Sequence, residues 1–320
     1  MKLRASGRMV FGWFLALVLL LSPAGAPTAG AAGGEIRLGI LPIVDALPYL
    51  VIPERGLDRK HGFTFETLSF ASALERDAAF QSGAIDGALN DTVTSTLLKS
   101  RGVDMAVAAL LLGAVGKEGV IYILAAPKNG PKSLEELRGV PIGVSSNTII
   151  EFVTDRILQA RGFRKEDIQT IEVKKIPLRF QMLMTGQIRA ATLPDPLASL
   201  AILQGAKPLA DDVRENLSQS VTIFTGRALR EKRSALKAYA RAYNEAVDAV
   251  NRDPNSWKDL LVQKARLPKL LKEAYRVVPF PRLRLPDPEH VADVIRWAGE
   301  KRLLKNPVTF ETLTTRALLD

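Results

Sequence analysis

The chain is expected to fold as two α/β lobes, each a mainly parallel sheet flanked by helices, followed by a helical C-terminal tail. Three observations carry that expectation. Strand-length apolar runs alternate with helical ones along most of the 320 residues, which is the pattern of a parallel sheet with crossover helices. A segment near residue 85 returns in similar form roughly one hundred positions later, as two units of one plan would require. The length is also enough to give each of two units its own core.

The repeat is clearest in residues 80–92, FQSGAIDGALNDT. Gly83 can end a helix, because glycine enters the left-handed conformation without a steric penalty. Residues 84–89 form an apolar run of buried-strand length. Asn90, Asp91 and Thr92 then offer polar caps for the next helix. Residues 185–196, TGQIRAATLPDP, repeat the plan, with Gly186 and Ile188 answering Gly83 and Ile85 at an offset of 103. IRLGILPI around Gly39 and VPIGVSSN around Gly143 agree, at an offset of 104.

Read in order, the first lobe has strands over 36–40, 63–68, 84–89, 105–112 and 120–125. Helices over 46–61, 72–82 and 92–100 lie between them. The turn-rich segment 126–132, APKNGPK, reads as a crossing between lobes. The second lobe opens with a helix over 133–137, where Ser133 and Glu136 form a capping box. Strands over 141–144, 168–173 and 190–193 and helices over 148–160, 178–184 and 196–204 follow. The β-branched run 221–225 carries the chain back. Beyond Arg227 the pattern is helical, broken at Pro254, at Pro268 and by the proline-rich loop 279–288. The tail is expected to flank lobe one. Lobe one is thus 32–126 plus 225–320, and lobe two 127–224.

Residues 1–31 belong to neither lobe. Lys2, Arg4 and Arg8 form a positive head, residues 9–21 an apolar run, and AGAPTAGAAGG a small-residue tail. That is the plan of a cleavable secretory signal, with cleavage expected after Ala31 or Ala32. The run is shorter than the roughly twenty residues a membrane span needs. There are no cysteines, which excludes disulfides, thiolate metal sites, a cysteine nucleophile and a lipoprotein anchor. The net charge of +10 comes from 44 basic and 34 acidic residues, spread as a solvated surface rather than gathered into a nucleic-acid-binding stripe.

In open α/β sheets, ligands sit at the carboxyl ends of strands beside helix N-termini. Four loops answer: 42–48 (PIVDALP), 90–92 (NDT), 145–148 (SSNT) and 193–196 (LPDP). Hydroxyls and amides dominate them, with Asp45, Asp91 and Asp195 the acids. Such groups orient a small polar ligand without burying unpaired charge. Asn90 and Asp91 also suit plain helix caps, and Asp195 a rigid turn. The four hydrogen-bonding residues Ser145 to Thr148 exceed what one helix start requires. No catalytic constellation is found: His61 and His290 are the only histidines, neither has a partner at metal-ligand spacing, and no nucleophile elbow or phosphate loop occurs. Phe63, Phe65 and Phe70 suit the first core, and Tyr49, Tyr122, Phe152 and Trp257 are core residues within reach of a cleft.

LGILPIVDALPYLVIPERGLDRKHGF, FQSGAIDGALND and GVPIGVSSNT, in that order and spacing, resemble periplasmic substrate-binding proteins of ABC importers, of the nitrate, sulfonate and taurine type. That group is related to binders of thiamine-precursor pyrimidines. The resemblance covers residues 36–225 and implies a type II periplasmic binding protein fold with ligand-driven closure. Carried over by position, it implies a cleft lined by Val44, Asp45, Ala46, Asn90 and Thr92 from lobe one. Ser145, Ser146, Asn147 and Thr148 would line it from lobe two, with Asp195 near the rim. Arg189 stands where an acid is common, LPDP replaces an aromatic-acid-proline turn, and no arginine lies in the first-lobe loops.

The resemblance implies a monomeric, non-enzymatic periplasmic binder that delivers a small polar organic molecule or anion to an inner-membrane ABC permease. No cofactor, metal or nucleic acid is expected. The alternatives are an enzyme on the same scaffold, of the pyrimidine synthase or dehydratase type, and a ligand-sensing adaptor. Ligand charge stays open: Asp45 and Asp195 suit an amine or heterocycle, and helix N-termini at Thr92 and Thr148 suit an anion.

Overall fold

The computed structural model describes residues 34–114, 116–264 and 268–319; the expected signal segment lies outside them. The chain runs β1 (Glu35–Ile40), α1 (Leu47–Glu54), α2 (Leu57–Lys60), β2 (Thr64–Ser69), α3 (Ala73–Gln81), β3 (Gly87–Asp91), α4 (Thr92–Ser100) and β4 (Met105–Leu112). It continues through β5 (Ile121–Ala125), β6 (Ile142–Val144), α5 (Ile149–Ala160), β7 (Thr170–Glu172), α6 (Ile176–Thr185), β8 (Ala190–Pro194), α7 (Leu197–Leu203) and β9 (Lys207–Asp211). After β10 (Ser220–Thr225) come α8 (Gly226–Glu231), α9 (Arg233–Arg252), α10 (Lys258–Lys264), α11 (Leu271–Ala274), α12 (Pro288–Glu300) and α13 (Phe310–Leu313).

Among the described residues the strands form two five-stranded sheets, ordered β2-β1-β3-β10-β4 and β7-β6-β8-β5-β9. In each, four strands run one way and one runs against them: β10 in the first, β5 in the second. The two orders superpose position by position, so β1 answers β6 and β3 answers β8. The repeated glycines have a steric reason. A Cβ on Gly39 would lie 2.6 Å from Ile85 Cδ1, and one on Gly143 would lie 2.7 Å from Ile188 Cδ1.

The exchange of β5 and β10 between sheets moves both crossings. The expected crossing at 126–132 is replaced by one between β4 and β5, because β5 pairs with β8 and β9. The return comes between β9 and β10. Strand partners are long-range choices, and an apolar run such as 120–125 carries no mark of which sheet it joins.

Four local expectations shift. The helix over 46–61 divides at Gly56, which has φ 62°. The third strand starts at Gly87 rather than Ala84. Asp86 stands just before it and accepts hydrogen bonds from Arg37 N (2.9 Å) and Lys232 Nζ (2.7 Å). The expected helix over 133–137 is a single 3-10 turn, Glu135–Leu137. β9 goes unseen in the sequence because Pro208 breaks its pattern, yet proline is tolerated at a sheet edge, where β9 lies.

The tail does more than flank lobe one. α9 presents Tyr239 and Tyr243 to the Tyr49, Phe65 and Phe224 rings of the first lobe. α12 packs on α4 of lobe one and also binds α5 of lobe two. There Arg156 pairs with Asp293 (2.8 Å), Trp297 Nε1 donates to Asp155 (2.9 Å), and Lys301 pairs with Glu151 and Asp155. No described helix is long and apolar enough to cross a membrane.

Candidate functional site

The carboxyl ends of β1, β3, β6 and β8 face one another across the seam between lobes and form the walls of a cleft, part of it open to solvent. A concave, largely apolar space with a few polar groups is the kind of place where small organic ligands bind. Leu41, Ile43, Asp45, Leu89, Asn90 and Asp91 contribute from lobe one. Lobe two supplies Ser145, Thr148, Ile149, Ile150, Ile176 and Pro194. Two backbone hydrogen bonds join the lobes beside the cleft, from Val44 N to Asp195 O (3.1 Å) and from Ile176 N to Ala71 O (3.2 Å). Lys175 and Glu75 add an ion pair across the same seam at 3.2 Å.

The first loop turns through a short 3-10 segment, Val44–Ala46, with all three residues buried. Of these only Asp45 faces the cleft; Val44 and Ala46 pack inward. Burial raises the Asp45 carboxyl to about 6, partly offset by the neighbouring Ser220 hydroxyl. Neither Asp45 Oδ1 nor Ser220 Oγ completes a hydrogen bond of good geometry among the described residues.

In the second loop Asn90 Oδ1 accepts from Arg76 Nη2 (2.8 Å) and from Asp91 N (2.7 Å). Asp91 is the N-cap of α4, accepting from Thr94 N (2.6 Å) and Thr94 Oγ1 (2.9 Å). Burial raises its pKa too. Thr92 turns away from the cleft; its hydroxyl meets His290 Nε2 at 2.9 Å, where burial holds that imidazole at about 4.

The third loop divides between two spaces. Ser145 and Thr148 line the cleft, while Ser146 and Asn147 line an adjoining groove against α3 and α4. Asn147 takes φ 60°, a left-handed value that asparagine tolerates better than most residues. Thr148 caps α5, accepting from Ile150 N at 3.2 Å. In the fourth loop Asp195 stands behind the cleft wall and holds Ser199 N and Oγ at 2.9 and 2.8 Å. Burial raises it to about 6.

Sequence reasoning missed Arg76, which lines the cleft from α3, and Ser218, Gln219 and Ser220, which approach it on the path into β10. Arg76 was legible in the repeat, since Arg76 and Arg179 each stand seven residues before the helix-ending Gly83 and Gly186. Tyr49, Tyr122, Phe152 and Trp257 do not line the cleft. Tyr49 instead hydrogen-bonds Thr222 at 2.6 Å in the first core, and Arg189 sits on the surface against Asn129 O. Both histidines stand away from the cleft wall, His61 beside Glu245 and His290 beside Thr92.

The model of the NMT1-like family matches residues 30–262. A protein of Brachyspira hyodysenteriae named as an ABC transporter periplasmic binding protein is 24% identical over 273 residues, covering 79% of this chain and 77% of its own. Among solved structures, the ligand-binding component of an ABC-type import system from Staphylococcus aureus, with zinc bound, superposes with a TM-score of 0.75 at 16% identity. It covers 89% of this chain and 97% of that one. The alkanesulfonate-binding protein SsuA from Xanthomonas axonopodis pv. citri, bound to MOPS, gives 0.73 at 19% identity, covering 88% and 98%. At these identities the structures establish a shared two-lobed fold.

Proposed function

Because the chain belongs to the NMT1-like family, we propose that it is an extracytoplasmic solute-binding protein that captures a small organic molecule between its lobes and delivers it to an ABC permease. The observation that carries this reading is a cleft walled by both lobes and flanked by hydrogen bonds between them. A ligand touching both walls favours the closed arrangement by its extra contacts, and that differential affinity is what a hinge needs to act as a trap. The names of the Brachyspira relative and the Staphylococcus structure support delivery to an ABC permease, and that of the Brachyspira relative a periplasmic location. Asp45, Asn90, Ser145 and Thr148 are the proposed contact residues. Val44, Ala46, Thr92 and Asp195 hold the loops, and Ser146 and Asn147 shape the adjoining mouth.

The test is Ala73→Trp. Ala73 lines both the cleft and its mouth and is only half-buried, so an indole there fills ligand space while the fold persists. In small-angle scattering, ligand should reduce the radius of gyration of the wild type and leave the variant unchanged. A variant that binds and closes normally would refute the cleft assignment.

A further inference from the structure

A helix N-terminus attracts anions through its free N–H groups, and two helices begin at this cleft. The protein's own side chains already occupy both. At α4, Asp91 takes Thr94 N and Thr94 Oγ1. Around the start of α5, Asn147 N donates to Glu151 Oε2 (2.6 Å), Ser146 N to Glu172 Oε2 (3.0 Å) and Ile150 N to Thr148 Oγ1 (3.2 Å). The guanidinium that reaches the cleft is spent as well. Arg76 directs Nε and Nη2 to Asp77 Oδ1, Nη1 to Leu89 O and Nη2 also to Asn90 Oδ1. An incoming anion would compete for each of these donors with an acceptor of the protein, at most of them a carboxylate.

The unspent charge of the buried wall has the opposite sign; Lys174 also lines the cleft, as an exposed ammonium where it meets the adjoining groove. Asp45 is 4% exposed, lines the cleft, and its Oδ1 has no partner among the described residues. Among the described residues no lysine or arginine pairs with it; the carboxyl near it is Asp91, and the hydroxyls near it are those of Ser220, Tyr243 and Tyr275. An unpaired buried carboxylate is costly to the apo protein, and such a cost is commonly kept where it serves a site. Leu41, Ile43, Ile149, Ile150 and Ile176 supply apolar walls around it. The complement of this buried wall is one charged nitrogen on an apolar body.

We infer that the ligand is an organic cation, a protonated amine on a small apolar skeleton, whose ammonium donates to Asp45. This inference rests on the cleft reading above and names its substrate class. A hydrogen bond between two charged groups in a closed cleft implies a loss of about tenfold to a hundredfold in affinity when the carboxylate is removed.

The experiment is a thermal-shift and calorimetric comparison of matched probes on one skeleton: 2-phenylethylamine, 2-phenylethanol, 3-phenylpropionate and 2-phenylethanesulfonate, with butylamine and butyrate as a smaller pair. Wild type and Asp45→Asn are compared. Amines should raise the melting temperature of the wild type in a concentration-dependent way, and Asp45→Asn should lose that response while its ligand-free form melts no lower. Response to the carboxylate or sulfonate instead of the amine would overturn the cation assignment and leave the cleft reading standing. So would amine binding that Asp45→Asn leaves unchanged. Failure of every probe would overturn the assignment too, and Ala73→Trp would then decide the fate of the cleft separately.

Discussion

Arg179 occupies in the second lobe the place that Arg76 occupies in the first, 103 residues earlier. Each is almost wholly buried on the helix before the central repeat. Each also passes its Cγ close under the glycine of the equivalent strands β1 and β6, 3.2 Å from a Cβ placed on Gly39 and 3.5 Å from one placed on Gly143. Their electrostatics have parted. Arg76 has Asp77 beside it; Arg179 donates Nη1 to Ser145 Oγ and Val173 O, and its Nε and Nη2 have no partner among the described residues. Burial presses Arg179 down to about 10.

The two arginines should therefore differ in what they contribute to stability. Arg76→Met strands Asp77 and the Leu89 carbonyl, and breaking a buried ion pair in that way costs about 3–5 kcal/mol. Arg179→Met removes an uncompensated charge along with its two hydrogen bonds, so its net effect should be about 1 kcal/mol or less. Urea unfolding of both variants checks this, and equal losses would contradict it.

The ligand-free protein should gain stability on mild acidification. Asp45, Asp195 and Asp212 are each raised by burial from 3.8 to about 6. The folded state then binds more protons than the unfolded one between those values, so their contribution is full below 3.8 and lost as pH rises through 6. His290, lowered from 6.5 to about 4, works the other way and loses its contribution as pH falls through that range. Three groups against one leave a net gain of about 1 kcal/mol from pH 7.5 to 5.5. Asp45→Asn should reduce that gain in a melting series across the two pH values.

Trp297→Phe should cost about 1–2 kcal/mol through the lost Nε1 hydrogen bond to Asp155, since both groups are buried. Lys301 also pairs with Asp155, at 2.8 Å, so a double-mutant cycle with Lys301→Met should return a coupling above about 0.5 kcal/mol. Additive losses would show that the two side chains act on Asp155 independently.

Gly87→Ala should be among the more damaging single-methyl additions. The new Cβ would meet the Phe224 ring at 2.6 Å and the Ile223 carbonyl at 2.7 Å, and backbone in a central strand cannot retreat as a side-chain tip can. A loss of about 2 kcal/mol or more is expected in denaturant unfolding, against a near-neutral Gly299→Ala, whose added Cβ meets open space.

The sequence by itself determined the two lobes, most of their elements and the four loops that converge on the cleft. Helical and strand periodicities, glycine turns and capping residues act over a few positions, so Thr92–Ser100 and Met105–Leu112 could be bounded from the residues alone. Tertiary structure decided what depends on distant partners. It placed β5 and β10 in each other's lobes, set α12 across α4 and α5, and turned Thr92 toward His290 rather than the ligand space. It also settled which polar groups are satisfied: Asp91, Glu151 and Glu172 satisfy the helix starts and Asp77 satisfies Arg76, while Asp45 Oδ1, Ser220 Oγ and two nitrogens of Arg179 are among those left without a partner. Hydrogen-bond satisfaction is a property of neighbours brought together by folding, and residue spacing carries no record of it.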